Sequence, residues 1–203
     1  GARIYQNECN SKSKNLTFWG AGEDFPSFGI GHFIWFPEGT NPPFNQTFPK
    51  LFQFLSQTSS PPQWMTQLEP FKAPWKTPKK FEQAWSSPQL IELRNWLEST
   101  QFQQAQFIVQ QFEQRWLSAI AQQPVIRQTK LNDRLKALLN SKQGSFAVID
   151  YVNFKGVGGN PKEQYQGEEW GLMSVLDKMD NTLEMTDSER LNAFVVAAKH
   201  RLL

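Results

Sequence analysis

The spacing of apolar and polar residues changes character along the chain. Between Phe18 and Phe36, aromatic and β-branched residues are interrupted by Gly20, Gly22, Pro26, Gly29 and Gly31. That spacing predicts a hairpin or twisted ribbon rather than a helix. Ahead of it, residues 3–9 read as the end of a helix, and the polar stretch 10–17 reads as a loop. Residues 37–49 hold four prolines and predict an irregular connection. Phe48, Leu51, Phe52 and Leu55 return at helical spacing, Pro61-Pro62 opens a further helix near Trp64, and 70–78 is again proline-rich.

Beyond this point the period is helical. Ser87-Pro88 predicts a helix start, with proline suited to the first turn, running through Leu90, Leu93, Trp96 and Leu97. Thr100 is expected to cap a long helix reaching about Gln122. Its apolar face comprises Phe102, Ala105, Ile108, Val109, Phe112, Trp116, Leu117 and Ile120, with glutamines opposite. Pro124 ends it, and Leu131–Leu139 forms another helix. Residues 145–154 are apolar nearly all round and predict a buried central helix, stopped by Gly156, Gly158 and Gly159. Trp170–Met179 is helical, and Asp187 or Ser188 caps a last helix. The predicted fold is α+β and mainly α. It forms one domain over 1–203, with a small β lobe in about 1–60 and a helical lobe in about 61–203.

Composition narrows the function classes. At 203 residues the chain can bury a sizeable core, and 39% hydrophobic with 20% charged residues excludes disorder throughout. No apolar run approaches the roughly 20 residues of a spanning helix, so no integral membrane segment is expected. A net charge of +2 carries no electrostatic footprint for duplex nucleic acid. The single Cys, Cys9, cannot close an internal disulfide and is expected to be buried packing. The absence of a disulfide framework fits the cytosol and is compatible with the periplasm. The first residue is Gly1, which raises the expectation that a signal or tag was removed. The excess is aromatic, with 17 Phe and 8 Trp, suited to core filling or to platforms for flat ligands such as sugars or bases.

The chemistry-bearing segment is Glu8 followed by Gly22-Glu-Asp-Phe-Pro-Ser-Phe-Gly-Ile-Gly-His32. A helix-end glutamate, adjacent carboxylates at 23 and 24, a hydroxyl at 27 and a Gly-Ile-Gly-His turn follow one another within a short span. This order resembles the lysozyme superfamily, and most closely the phage-type lysozymes. The resemblance covers residues 8–32, with the rest resting on the order of elements. Relative to that family the spacing is expanded. Ser27 replaces a threonine, and Ala21 stands where an aspartate would fall, which displaces the second carboxylate to Glu23 or Asp24.

The resemblance implies a glycoside hydrolase acting on β-1,4 links of an N-acetylhexosamine polymer, such as peptidoglycan, in a cleft beside the β element. Glu8 would be the general acid, since desolvation by flanking Ile4, Tyr5 and Cys9 would raise its pKa. Glu23 or Asp24 would remain ionised, and Ser27 would hold the attacking water. Trp19, Phe25, Phe33 and Trp35 are candidate cleft-wall residues, with Trp19 and Trp35 expected to be the exposed tryptophans. Tyr151 and Asn153 are candidate substrate contacts. His32 is expected to be structural, bonded to a buried Asp150. No metal or cofactor is implied. The substrate class implies a periplasmic or secreted location, and a monomer is expected. Lytic transglycosylase or chitinase-like cleavage on the same fold remains open, as does a glycan-binding protein that has lost its second carboxylate.

A second resemblance lies in Trp170-Gly-Leu-Met-Ser-Val, similar to the Gly-Leu-Met-Gln motif of lytic transglycosylases and goose-type lysozymes. It would make Glu163, Glu168 or Glu169 the acid. The alternative is a helix that packs Leu172, Met173, Val175 and Leu176 into the core.

Overall fold

The computed structural model describes residues 16–40, 44–159, 164–165, 168–169, 171–179 and 184–199. The protein is mainly helical with a small antiparallel sheet. The chain divides into two compact units, residues 1–107 and 108–203. The division therefore falls inside a helix.

In the first unit, β1 (Thr17–Phe18), β2 (Ser27–Phe28) and β3 (Phe33–Ile34) form a sheet in that order. Thr17 pairs with Phe28 and Phe28 with Phe33; Phe18 pairs with Ser27 and Ser27 with Ile34. The two-residue period sends Thr17, Phe28 and Phe33 to the buried face and Phe18, Ser27 and Ile34 to the other. Helix α1 (Phe48–Leu55) packs on this sheet through Phe48, whose ring lies 5.0 Å from Phe28 and 4.8 Å from Trp35. Thr47 fixes the helix to β3 twice. Its Oγ1 accepts from the Ile34 amide at 2.9 Å, and its own amide donates to the Ile34 carbonyl at 2.9 Å.

Short helices α2 (Gln63–Thr66) and α3 (Pro78–Gln83) follow, then α4 (Pro88–Ser99). Ser87 caps α4 by accepting from the Leu90 amide, as its Ser-Pro start predicts. Thr77-Pro78 starts α3 by the same device, with Thr77 accepting from Lys80. The proline-rich stretch 70–78 thus ends in a helix start.

Helix α5 (Gln101–Ile120) spans the boundary between the units. Thr100 does not cap it with its side chain; the hydroxyl donates back to the Trp96 carbonyl at 2.8 Å, closing α4. The apolar face also differs from the predicted one. Phe102 is exposed and Leu117 is 66% exposed, whereas Gln104, Phe107, Phe112, Trp116 and Ile120 are buried.

The second unit comprises the rest of α5 with α6 (Val125–Leu139), α7 (Lys142–Lys155), the pair β4 (Gln164–Tyr165) and β5 (Glu168–Glu169), α8 (Leu172–Lys178) and α9 (Asp187–Lys199). Helix α7 is one-sided rather than buried all round. Val148, Tyr151 and Val152 face the core, while Phe146, Asp150 and Asn153 are exposed. Its C-terminal glycine segment pairs with the start of α8, where the amides of Leu172 and Met173 donate to the carbonyls of Gly156 and Val157 at 3.1 and 2.9 Å.

Helix α9 is capped one position before the predicted residues. Thr186 Oγ1 accepts from the Glu189 amide at 3.3 Å, and the Glu189 carboxylate accepts from the Thr186 amide at 2.8 Å. This is a reciprocal capping box. The hydroxyl and amide of Thr186 hold the Glu189 carboxyl below its ordinary value. The contribution is therefore complete above the carboxyl's unfolded pKa and fades as acid protonates Glu189. Thr186→Ala is expected to cost about 1 kcal/mol of stability, read by denaturant titration. No described helix is long and apolar enough to cross a membrane.

Candidate functional site

The loop from β1 to β2, residues 19–26, is shaped by its own side chains. The Trp19 indole donates to the Glu23 carbonyl at 2.7 Å, and the Glu23 amide donates to the Gly20 carbonyl at 3.2 Å. The Glu23 carboxylate then accepts from the Gly20 amide at 3.1 Å. A Cβ on residue 20 would lie 2.5 Å from that carboxylate, so glycine is what leaves it room. Glu23 is exposed but already occupied in closing the turn. Asp24 is exposed as well, and its carboxylate has no hydrogen bond or ion pair among the described residues. The two adjacent acids thus have different availability. Glu23 shapes the loop and Asp24 faces solvent unengaged.

Aromatic rings flank this loop. Trp19 is half-buried, edge-on to Phe81 at 5.8 Å. Phe25 is half-buried between Phe36 and the exposed Phe44, at 5.6 and 5.5 Å. Phe33 is buried on the inner face of the sheet and Trp35 is 0% exposed, stacked on Phe71 at 4.9 Å. The expectation of an exposed Trp35 in a cleft wall is therefore corrected. Phe33 and Trp35 are two residues apart, and the strand period sends both inward. Ser27 lies on the opposite sheet face with Phe18 and Ile34, and is 6% exposed.

The Gly29-Ile-Gly-His32 stretch is the turn between β2 and β3. Gly29 adopts φ +73, its amide donates to Leu16 at 2.8 Å, and the His32 amide returns to the Gly29 carbonyl at 3.3 Å. A third tether comes from α5, where Gln104 Oε1 accepts from the Ile30 amide at 3.0 Å. Gln104 is 0% exposed, and its amide nitrogen donates to the Leu97 carbonyl at 2.6 Å and to Thr100 Oγ1 at 3.1 Å. Both ends of the side chain are bonded, the condition under which a buried amide is tolerated. The sequence pattern places the glutamines on the outer face, whereas the structure buries Gln104. The available signal was register, since 104 stands three residues before Phe107 and four after Thr100 on the buried stripe.

A Cβ on Gly29 would collide with Gln104 Oε1, and φ +73 is strained for any other residue. Gly29→Ala is expected to cost about 2 kcal/mol, combining left-handed strain with displacement of the buried amide, as measured by thermal unfolding.

Glu8, with its neighbours Ile4, Tyr5 and Cys9, lies outside the described residues, as do Glu163 and Trp170. Tyr151, Asn153 and Asp150 belong to the second unit, where Tyr151 is buried with its ring edge-on to Phe194 at 5.9 Å. His32 is exposed and has no hydrogen bond or ion pair among the described residues. Asp150 is also exposed, so the burial that motivated a His32–Asp150 pair is absent. The Gly-Leu-Met stretch is core: Leu172, Met173, Ser174, Val175 and Leu176 are all buried. Glu168 and Glu169 form β5, paired with Tyr165 and Gln164. Among the described residues no group of three His, Cys, Asp or Glu side chains is placed to hold a metal ion.

Compared with models of protein families, with curated proteins and with solved structures, the chain has no match.

Proposed function

We propose that the protein is a lysozyme-like glycoside hydrolase that cleaves β-1,4 bonds in an N-acetylhexosamine polymer, with peptidoglycan as the substrate class. One observation carries the reading. The Gly-Ile-Gly-His stretch closes a hairpin of a small antiparallel sheet, directly after a loop presenting an unengaged carboxylate. This is the context in which the resemblance to phage-type lysozymes gives that string meaning.

In the proposed mechanism Glu8 delivers a proton to the leaving glycosidic oxygen. Asp24, on its exposed loop, stabilises the oxocarbenium-like state or activates water. The free carboxylate of Asp24 is the reason to prefer it over Glu23. Ser27 is the candidate for holding the water, and Trp19 and Phe25 for flanking the sugar. The enzyme would act as a monomer outside the cytoplasm, where such a polymer lies.

Clearance of a cell-wall suspension by the purified protein, with mass spectrometry of the products, tests the reading. Hydrolysis gives reducing ends, whereas anhydro sugars would identify a lytic transglycosylase. A protein that binds the wall without releasing fragments would be a glycan-binding module, and the hydrolase reading would fall.

A further inference from the structure

His32 is the one non-glycine residue with positive φ among the described residues, at +47. Every other described position with positive φ carries glycine: Gly22, Gly29, Gly39, Gly156, Gly158, Gly159 and Gly171. A side chain in the left-handed region destabilises the chain relative to glycine, so stability alone does not account for histidine at position 32. Packing does not account for it either. The residue is exposed, and the imidazole has no hydrogen bond, ion pair or ring contact among the described residues. The turn beneath it is nonetheless firmly held, by Leu16 on Gly29, by Gly29 on His32 and by the fully buried Gln104 on Ile30. The fold thus uses a buried, hydrogen-bonded amide to fix a turn whose histidine side chain has no hydrogen bond, ion pair or ring contact among the described residues. Strained residues held by an over-determined surround are concentrated where ligands bind.

From this arrangement we infer that His32 is a substrate-contacting residue and that Gln104 is its positioning residue, acting through the Gly29–His32 turn. The inference rests on the glycosidase reading for the identity of the ligand, a linear glycan. A neutral imidazole offers one donor and one acceptor, matching the hydroxyl and acetamido groups of an N-acetylhexosamine. The strands are two residues long, so the turn bearing His32 and the loop bearing Asp24 stand at opposite ends of a sheet only about 7 Å deep. A polymer laid along the sheet would run from one to the other. His32 would therefore contribute to recognition of chain length.

The test uses the whole chain with His32→Gly and His32→Asn, both of which accept left-handed backbone. If His32 contacts substrate, His32→Gly raises the melting temperature while KM for soluble N-acetylhexosamine oligosaccharides rises about three- to tenfold, the range of one lost hydrogen bond. The loss falls on KM more than on kcat, and His32→Asn shows the same rise in KM without a fall in melting temperature. Gln104→Leu speeds amide exchange at Ile30 and raises KM in the same direction. An unchanged KM in both His32 variants overturns the inference, as does a lowered melting temperature with KM intact, which would make His32 structural. Titration of 15N-labelled protein with the same oligosaccharide separates this from the hydrolase reading. A shifted His32 imidazole signal without turnover sinks the hydrolase and keeps the contact. Turnover with a silent imidazole does the reverse.

Discussion

Gly171→Ala is expected to remove about 3 kcal/mol or more of the second unit's stability. Gly171 precedes α8 with φ +102 and ψ −176, backbone that only glycine adopts readily. There is also no room for a methyl group. A Cβ at 171 would collide with the Gly158 amide nitrogen and lie 2.6 Å from Gly158 Cα and 2.8 Å from the Val157 carbonyl carbon. These are backbone atoms in the strip that pairs with α8, so no rotamer relieves the overlap. Gly156→Ala isolates that contribution. Gly156 has similar backbone, φ +71 and ψ −177, but nothing lies within 4 Å of its added Cβ. Its substitution should cost only the backbone strain, about 1–2 kcal/mol. Equal losses at the two sites in denaturant unfolding would show that the close approach of 171 to 158 contributes nothing. Since domains hold only about 5–15 kcal/mol in total, the larger loss is also visible as faster amide exchange in α7 and α8.

How much of this was legible in the sequence depends on the kind of signal. Signals written in backbone chemistry were read well. Ser87-Pro88 starts α4 and Gly156 stops α7 because proline and glycine restrict or release φ wherever they stand. The glycine-punctuated aromatic stretch gave the sheet. Errors arose where one residue type has two uses. Trp35 was weighed as a sugar platform, yet its alternation with Phe33 placed it inside. Residues 145–154 looked buried by composition, although the helical period turns Phe146, Asp150 and Asn153 outward. Gln104 was assigned by polarity, and only the tertiary partners Ile30 and Leu97 make burial of its amide possible. The sequence shows two adjacent acids in the loop, Glu23 and Asp24, but not which of them is engaged. That required seeing Glu23 folded back on Gly20.

Glu8→Gln is expected to lower the rate of wall clearance about 10²- to 10⁴-fold, the usual contribution of a positioned general acid. The amide keeps the shape of the side chain and removes the transferable proton, so substrate binding should survive. Asp24→Asn is expected to reduce turnover strongly as well, because in the proposed mechanism it removes the charge that stabilises the developing cation. Glu23→Gln should retain most of the activity. Its amide oxygen can still accept from the Gly20 amide, and the bond it keeps is the one that shapes the loop. Initial clearance rates of the three variants at equal protein concentration, with far-UV circular dichroism to show folding, decide among the assignments. A fully active Glu8→Gln overturns the acid assignment. A dead Glu23→Gln beside an active Asp24→Asn exchanges the second carboxylate, and the Glu23–Gly20 bond would then have to open for each catalytic cycle. The order Glu8, Asp24, Glu23 in severity is what the proposed chemistry and the loop geometry jointly require, because the Asp24 carboxylate has no hydrogen bond or ion pair among the described residues whereas that of Glu23 is bonded to the Gly20 amide.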